Sequence, residues 1–156
     1  MANTYGRNAT QVQKDAVAKL MLYCGQAVQM DYTPSSSGAQ TMFLPQILVQ
    51  SFNYPSTAHN INRYGYTIEQ WDSLLLNELR NKRPVLYTGY TTASEGHAFV
   101  CDGYDGKGFY HINWGWGGTA DGYFRASVLD ASSNGIGGSS TSMRFSISCS
   151  VVSDSL

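Results

Sequence analysis

Gly96-His97-Ala98-Phe99-Val100-Cys101-Asp102-Gly103-Tyr104-Asp105-Gly106-Lys107-Gly108-Phe109-Tyr110-His111-Ile112-Asn113-Trp114-Gly115-Trp116-Gly117-Gly118 is the stretch on which the fold turns. Two runs rich in aromatic and β-branched residues, His97 to Tyr104 and Phe109 to Trp114, flank the polar turn Asp105-Gly106-Lys107-Gly108. Such side chains suit a pleated, half-buried surface, and Asp-Gly marks a tight turn. The spacing predicts a β-hairpin. Upstream, Pro84 resets the period and Val85 to Tyr90 reads as another strand. Downstream, Gly122 to Leu129 and Met143 to Val152 read as two more, separated by the Gly/Ser-rich loop 132–140. Short strands with Gly-rich turns indicate an antiparallel meander or partial barrel.

The residues before Pro84 read as helical. Val12, Ala16, Leu20 and Tyr23 recur at helical spacing, with Val17 and Met21 widening the face. Thr10 with Gln13, and Thr67 with Gln70, have capping-box spacing. A loop runs from Thr33 to Gly38, and a second helix is expected from about 40 to 52, before Pro55. A third lies between Thr67 and Asn81, with Ile68, Trp71, Leu75 and Leu79 on one face. Helices first and strands second give an α+β class in a single domain, 1–156.

Composition narrows the function. A chain of 156 residues, 42% hydrophobic and 13% aromatic, builds a real core. Net charge is -1 with only 10 Lys and Arg, so a nucleic-acid partner is not expected. No apolar run approaches the roughly 20 residues needed to span a bilayer. The start, MANTYGRNAT, lacks the apolar centre of a signal peptide. Either the protein is cytoplasmic, or it derives from a longer secreted precursor. Cys24, Cys101 and Cys149 match neither a zinc ribbon nor a CxxC pair, and read as small buried hydrophobes. His59, His97 and His111 lack short ligand spacing, so no metal or cofactor is expected.

His97 and Asn113 carry the candidate chemistry. Counting about equal arms from the turn near 105–108 puts them nearly opposite each other. A carboxamide oxygen there would accept one imidazole N–H, leaving the other ring nitrogen to face a nucleophile. Trp114 would shield that bond from water. The reading requires both groups on one side of the sheet. Against it, a lone histidine on a strand is more often structural, and an asparagine near a turn usually serves the turn.

The runs Gly96-His97-Ala98-Phe99-Val100, Asp102 to Gly106, Phe109 to Gly118 and Asp121-Gly122-Tyr123-Phe124 closely resemble the streptopain family of bacterial cysteine peptidases, which includes interpain-like enzymes. Met30 to Gly38, Ile61-Asn62-Arg63 and Gln70-Trp71 fit the same family. The resemblance implies a papain-like half-domain and a secreted or cell-surface virulence protease acting on peptides. It implies His97 as the catalytic histidine with Asn113 and Trp114 as supports. Ser35, Ser36, Ser37 and Trp116 would line the substrate cleft, beside a mobile loop holding Gly137 and Gly138.

One part of the family pattern has no counterpart here: a glycine-cysteine-valine-alanine nucleophile motif at a helix start. It is expected on an N-terminal segment preceding this chain. Cys101 is on the same strand as His97, roughly 13 Å away at about 3.3 Å per residue. Cys24 falls near a helix end, and Cys149 in the last strand, with no partner evident. The expected function is therefore the histidine-bearing portion of a cysteine endopeptidase, inactive alone. The alternatives are a non-catalytic relative that binds peptides or a partner, and a structural domain whose His and Asn serve packing. Loss of the opposite lobe would expose apolar surface and favour self-association or a bound partner.

Overall fold

The computed structural model describes residues 6, 8–90, 96–126 and 148–151. Helix α1 spans Gln11–Ala27, opened by the Thr10–Gln13 capping box. A short hairpin follows, β1 (Asp31–Tyr32) against β2 (Ser37–Gly38). A 3-10 turn at Thr41–Phe43 leads into α2 (Leu44–Phe52). Pro45 lies in the first turn of α2, where its missing N–H costs no helical bond. Asn53 ends that helix in the left-handed region. Helix α3 (Ile68–Arg80) starts at the Thr67–Gln70 capping box.

The main sheet is antiparallel. Its strands are β3 (His59–Asn62), β4 (Val85–Tyr90), β5 (Gly96–Tyr104), β6 (Tyr110–Asn113), β7 (Gly122–Phe124) and β8 (Ser148–Val151). Their order is β3-β8-β4-β5-β6-β7. The run β4 to β7 is the expected meander, and the α+β class stands. Two features depart from the expectation. The segment read as a plain loop contains the β1–β2 hairpin, and a strand, β3, stands between helices α2 and α3. The sequence His-Asn-Ile-Asn has one apolar residue, so it carries no alternation; β3 exists because β8 pairs with it at the sheet edge. The parts of the expected last two strands at 127–129, 143–147 and 152 lie outside the described residues, as does loop 132–140.

The core sits between α3 and the sheet. Trp71 and Leu75 from α3 bury against Val85, Tyr87, Phe99, Cys101, Tyr110, Ile112 and Trp114. The buried face of α3 is Trp71, Leu75 and Glu78; Ile68, expected on it, is exposed, and Leu79 is half-buried. The Trp71 indole N–H donates to the Tyr87 hydroxyl at 3.0 Å, and the Tyr110 hydroxyl donates to the Asp72 carbonyl at 3.3 Å. The polar tips of Trp71 and Tyr110 thus find acceptors. Glu78 is satisfied by a two-pronged ion pair with Arg83, at 2.7 and 3.0 Å.

Candidate active site

His97 is the second residue of β5, paired with Gly89 on β4. On the other side, the β5–β6 ladder ends at Val100↔Asn113. The chain then leaves the sheet at Trp114 and curls through Gly115 (φ 79°), Gly117 (φ 65°) and Gly118 (φ 90°). These positive φ values suit glycine and let the loop close on itself. The result is an aromatic cluster around one imidazole. Ring centroids lie 5.0 Å from His97 to Trp116, 6.1 Å to Phe99 and 6.4 Å to Trp114, all stacked or tilted. Trp114 is fully buried, also meeting Phe99 at 4.7 Å and Phe124 edge-on.

The imidazole is braced by a backbone group. His97 Nε2 lies 2.9 Å from the carbonyl oxygen of Trp114. A carbonyl offers only lone pairs, so Nε2 donates, and Nδ1 is left without a proton in the neutral ring. This corrects the expected His97–Asn113 pair. The register is Tyr104↔Tyr110, then Cys101↔Ile112, with a shift at Asp102. Asn113 therefore faces Val100. Cross-strand partners share a face and neighbours alternate, so Asn113 and His97 belong to opposite faces of the sheet; the condition that the His–Asn reading required is not met, and that pair carries no argument for a peptidase. The equal-arm count failed because it misplaced the turn apex and allowed no bulge at Asp102. Asn113 instead turns its Oδ1 to accept the Gly115 N–H at 2.8 Å. Trp114 does not cover a His–Asn bond; its own carbonyl is the acceptor.

The remaining expected site residues are dispersed. Trp116, half-buried, packs its ring against His97 at a tilt of 31°. Ser35, Ser36 and Ser37 are exposed on the β1–β2 hairpin. That hairpin is tightened by Thr33, whose hydroxyl donates to the Ser36 carbonyl at 2.7 Å and accepts the Ser36 N–H at 3.0 Å. Gly137 and Gly138 lie outside the described residues. An open cleft of about 780 Å³ between the end of α1 and α2, lined by Val28, Phe43, Gln46 and Ile47 among others, contains none of the His97 cluster.

The cysteines divide. Cys101 is buried in the core, where desolvation, and after it the charge of Asp102, pushes its thiol up to about 12. Such a thiol stays protonated and is a poor nucleophile. Cys24 is exposed in the last turn of α1, contrary to the expectation of burial. Cys149 pairs through its backbone with Ile61 and Tyr87. His111 is engaged with Asp102, Nδ1 to Oδ1 at 2.6 Å, and His59 Nδ1 donates to the Thr57 carbonyl at 2.7 Å. Among the described residues, no three His, Cys, Asp or Glu side chains gather into a metal-binding group. Nor is any described helix long and apolar enough to cross a membrane.

Sequence reasoning gave Asp121 no role. Its Oδ1 accepts the Trp114 N–H at 2.9 Å. The only hint in the sequence was an acid closing a glycine-rich turn, which does not say which N–H it will meet.

Residues 1–124 match the model of the Peptidase C10 family. The chain is 44% identical over 135 residues to streptopain of Streptococcus pyogenes serotype M28, covering 86% of this chain and 34% of that protein. It is 38% identical over 111 residues to the thiol protease/hemagglutinin PrtT of Porphyromonas gingivalis, covering 71% of this chain and 13% of that one. The solved structure of active wild-type interpain A cysteine protease from Prevotella intermedia superposes with a TM-score of 0.78 at 34% identity. That match covers 96% of this chain and 61% of interpain A. The chain thus spans about a third of the streptopain it matches. On the family match and on these identities, the chain belongs to the Peptidase C10 family of cysteine peptidases, and its fold is papain-like.

Proposed function

We propose that this chain supplies the histidine-bearing part of a streptopain-like endopeptidase, with the nucleophilic cysteine on a segment outside it. The observation that carries the reading is the Nε2–H donation from His97 to the Trp114 carbonyl. It fixes the tautomer whose Nδ1 can take a proton from a thiol. The thiolate would attack a peptide carbonyl, and the His97 imidazolium would then protonate the leaving amine. In the second half, His97 would take a proton from water as water cleaves the acyl-enzyme. Trp116 and Phe99 hold the ring in one orientation, and Asn113 supports the acceptor at one remove. Ser35 to Ser37, Trp116, Gly137 and Gly138 are proposed to contact substrate.

Two facts favour an external nucleophile. Cys101, the cysteine nearest His97 along the strand, is buried with a raised thiol pKa. Helix α1 also leaves Val12, Leu20, Met21 and Tyr23 substantially exposed, a face suited to a second lobe. A secreted or cell-surface location goes with this reading, and fractionation of the producing cells tests it. The decisive experiment mixes the chain with a separately expressed segment bearing the nucleophile. Peptide cleavage should appear on mixing and vanish with His97→Ala; a stable complex without cleavage would reject the proposal. The chain alone should cleave nothing. Rapid epoxide labelling of Cys24, Cys101 or Cys149 that depends on His97 would contradict the external nucleophile.

A further inference from the structure

We propose that Asp121 is a positioning residue for His97, acting through the backbone of Trp114. The acceptor of the His97 N–H is a backbone carbonyl, so its direction is set by backbone dihedrals rather than by a side-chain rotamer. Peptide groups are planar, and only φ and ψ of Trp114 join the plane before it to the plane after it. Each plane has its own anchor. The N–H of the first donates to Asp121 Oδ1 at 2.9 Å. The N–H of the second, on Gly115, donates to Asn113 Oδ1 at 2.8 Å. The carbonyl of that second plane is the one His97 reaches at 2.9 Å. With both planes tied, the carbonyl is aimed before the imidazole arrives.

The chain is bent to deliver that carboxylate. Thr119 N–H donates to the Trp116 carbonyl at 3.2 Å, closing the loop. Ala120, immediately before Asp121, sits at φ 65°, a region a residue with a Cβ rarely adopts. Such a conformation persists where the surroundings over-determine it. The bond from Trp114 N–H to a carboxylate is charge-assisted, hence shorter and stronger than a neutral one. Asp121 bonds the Trp114 N–H while the imidazole bonds the Trp114 carbonyl, so the effect of Asp121 on His97 is orientation.

The consequence for catalysis rests on the function proposed above, but the orientation itself is measurable without a nucleophile. The test uses the whole chain with 15N-labelled histidine, at a pH about two units above the ordinary imidazole range. Long-range 1H–15N correlation reads which ring nitrogen carries the proton. Wild type and Asp121→Asn, which retains an acceptor oxygen, should both show His97 overwhelmingly as the Nε2–H form. Asp121→Ala should raise the Nδ1–H fraction severalfold and speed amide exchange at Trp114 at least tenfold. If Asp121→Ala does not fold, Asp121→Glu, which displaces the acceptor by one methylene, should show the same change in smaller degree. A folded Ala or Glu variant with the wild-type tautomer ratio overturns the proposal. The expected tautomer pattern without cleavage in the reconstituted pair would sink the peptidase reading and leave the role of Asp121 standing.

Discussion

The peptide joining Trp114 to Gly115 has its carbonyl on the imidazole of His97 and its N–H on the carboxamide of Asn113. An amide whose N–H is engaged becomes a better acceptor at its oxygen, because successive hydrogen bonds polarise one another. Asn113 therefore strengthens the brace on His97 without touching it. In the reconstituted enzyme, Asn113→Ala is expected to lower kcat about tenfold with little change in KM, the worth of about one neutral hydrogen bond. Steady-state kinetics on a peptide substrate reads this directly. A fall in kcat of a thousandfold or more would instead indicate direct contact with the reacting groups.

Cys101 gives a second prediction at this scale. Its thiol is raised from 9.0 to about 12 by burial, with Asp102 adding to it. The unfolded chain thus releases that proton at lower pH than the folded one. Stability from this group is complete below about pH 9 and declines as pH rises toward 12. Tyr110, also raised chiefly by burial, acts in the same direction. Urea midpoints should fall over this window, and Cys101→Val should flatten part of the slope. An unchanged slope in that variant would show that the thiol is not the group responsible.

At the level of elements, α3 ends on a buried acid. Glu78 is 2% exposed, and among the described residues Arg83, from the link into β4, neutralises it with two hydrogen bonds. Removing one partner strands the other charge. Arg83→Met is expected to cost about 3 kcal/mol by urea unfolding, the lower end for a buried pair, because the Arg83 side chain is partly wetted. The double change with Glu78→Gln should recover most of that loss; equal losses in single and double variants would mean that the charge is not the cause. Helix α1 poses a different case at Gly25, where an added Cβ would overlap the Tyr32 hydroxyl. That hydroxyl ends a largely exposed side chain, so the ring can swing aside. Gly25→Ala should gain up to about 1 kcal/mol of helix propensity while freeing Tyr32, the first partner of Ser37 in the hairpin. Thermal unfolding and the Tyr32 ring signals separate the two effects.

For the whole molecule, α1 is the anomaly. Its capping box is intact, yet Gly25 is its one buried residue. Val12 is 78% and Met21 67% exposed, on the face that sequence periodicity marked for a core. An unsatisfied apolar face favours association. Sedimentation at high concentration should show self-association of the isolated chain, relieved by Val12→Lys with Met21→Lys. The same pair should weaken binding of the nucleophile-bearing segment if both use this face. A clean monomer before any substitution would rule the association out.

Both capping boxes, the three helices, the hairpin about Asp105 and the α+β class were legible in the sequence because each depends on residues a few positions apart. Two β features escaped. The β1–β2 hairpin is two residues per strand, and β3 is a strand only by virtue of a partner far along the chain. The strands that carry His97 and Asn113 were legible too, as was the aromatic, glycine-rich loop beyond them. What accepts the His97 proton was not. That depended on a bulge at Asp102, which moved the pairing so that Asn113 met Val100, and on a loop that folded Asp121 back to Trp114. Local spacing determines which segments become helix or strand. Register and the aim of a carbonyl are settled by non-local pairing, where one extra residue turns a side chain to the other face of the sheet.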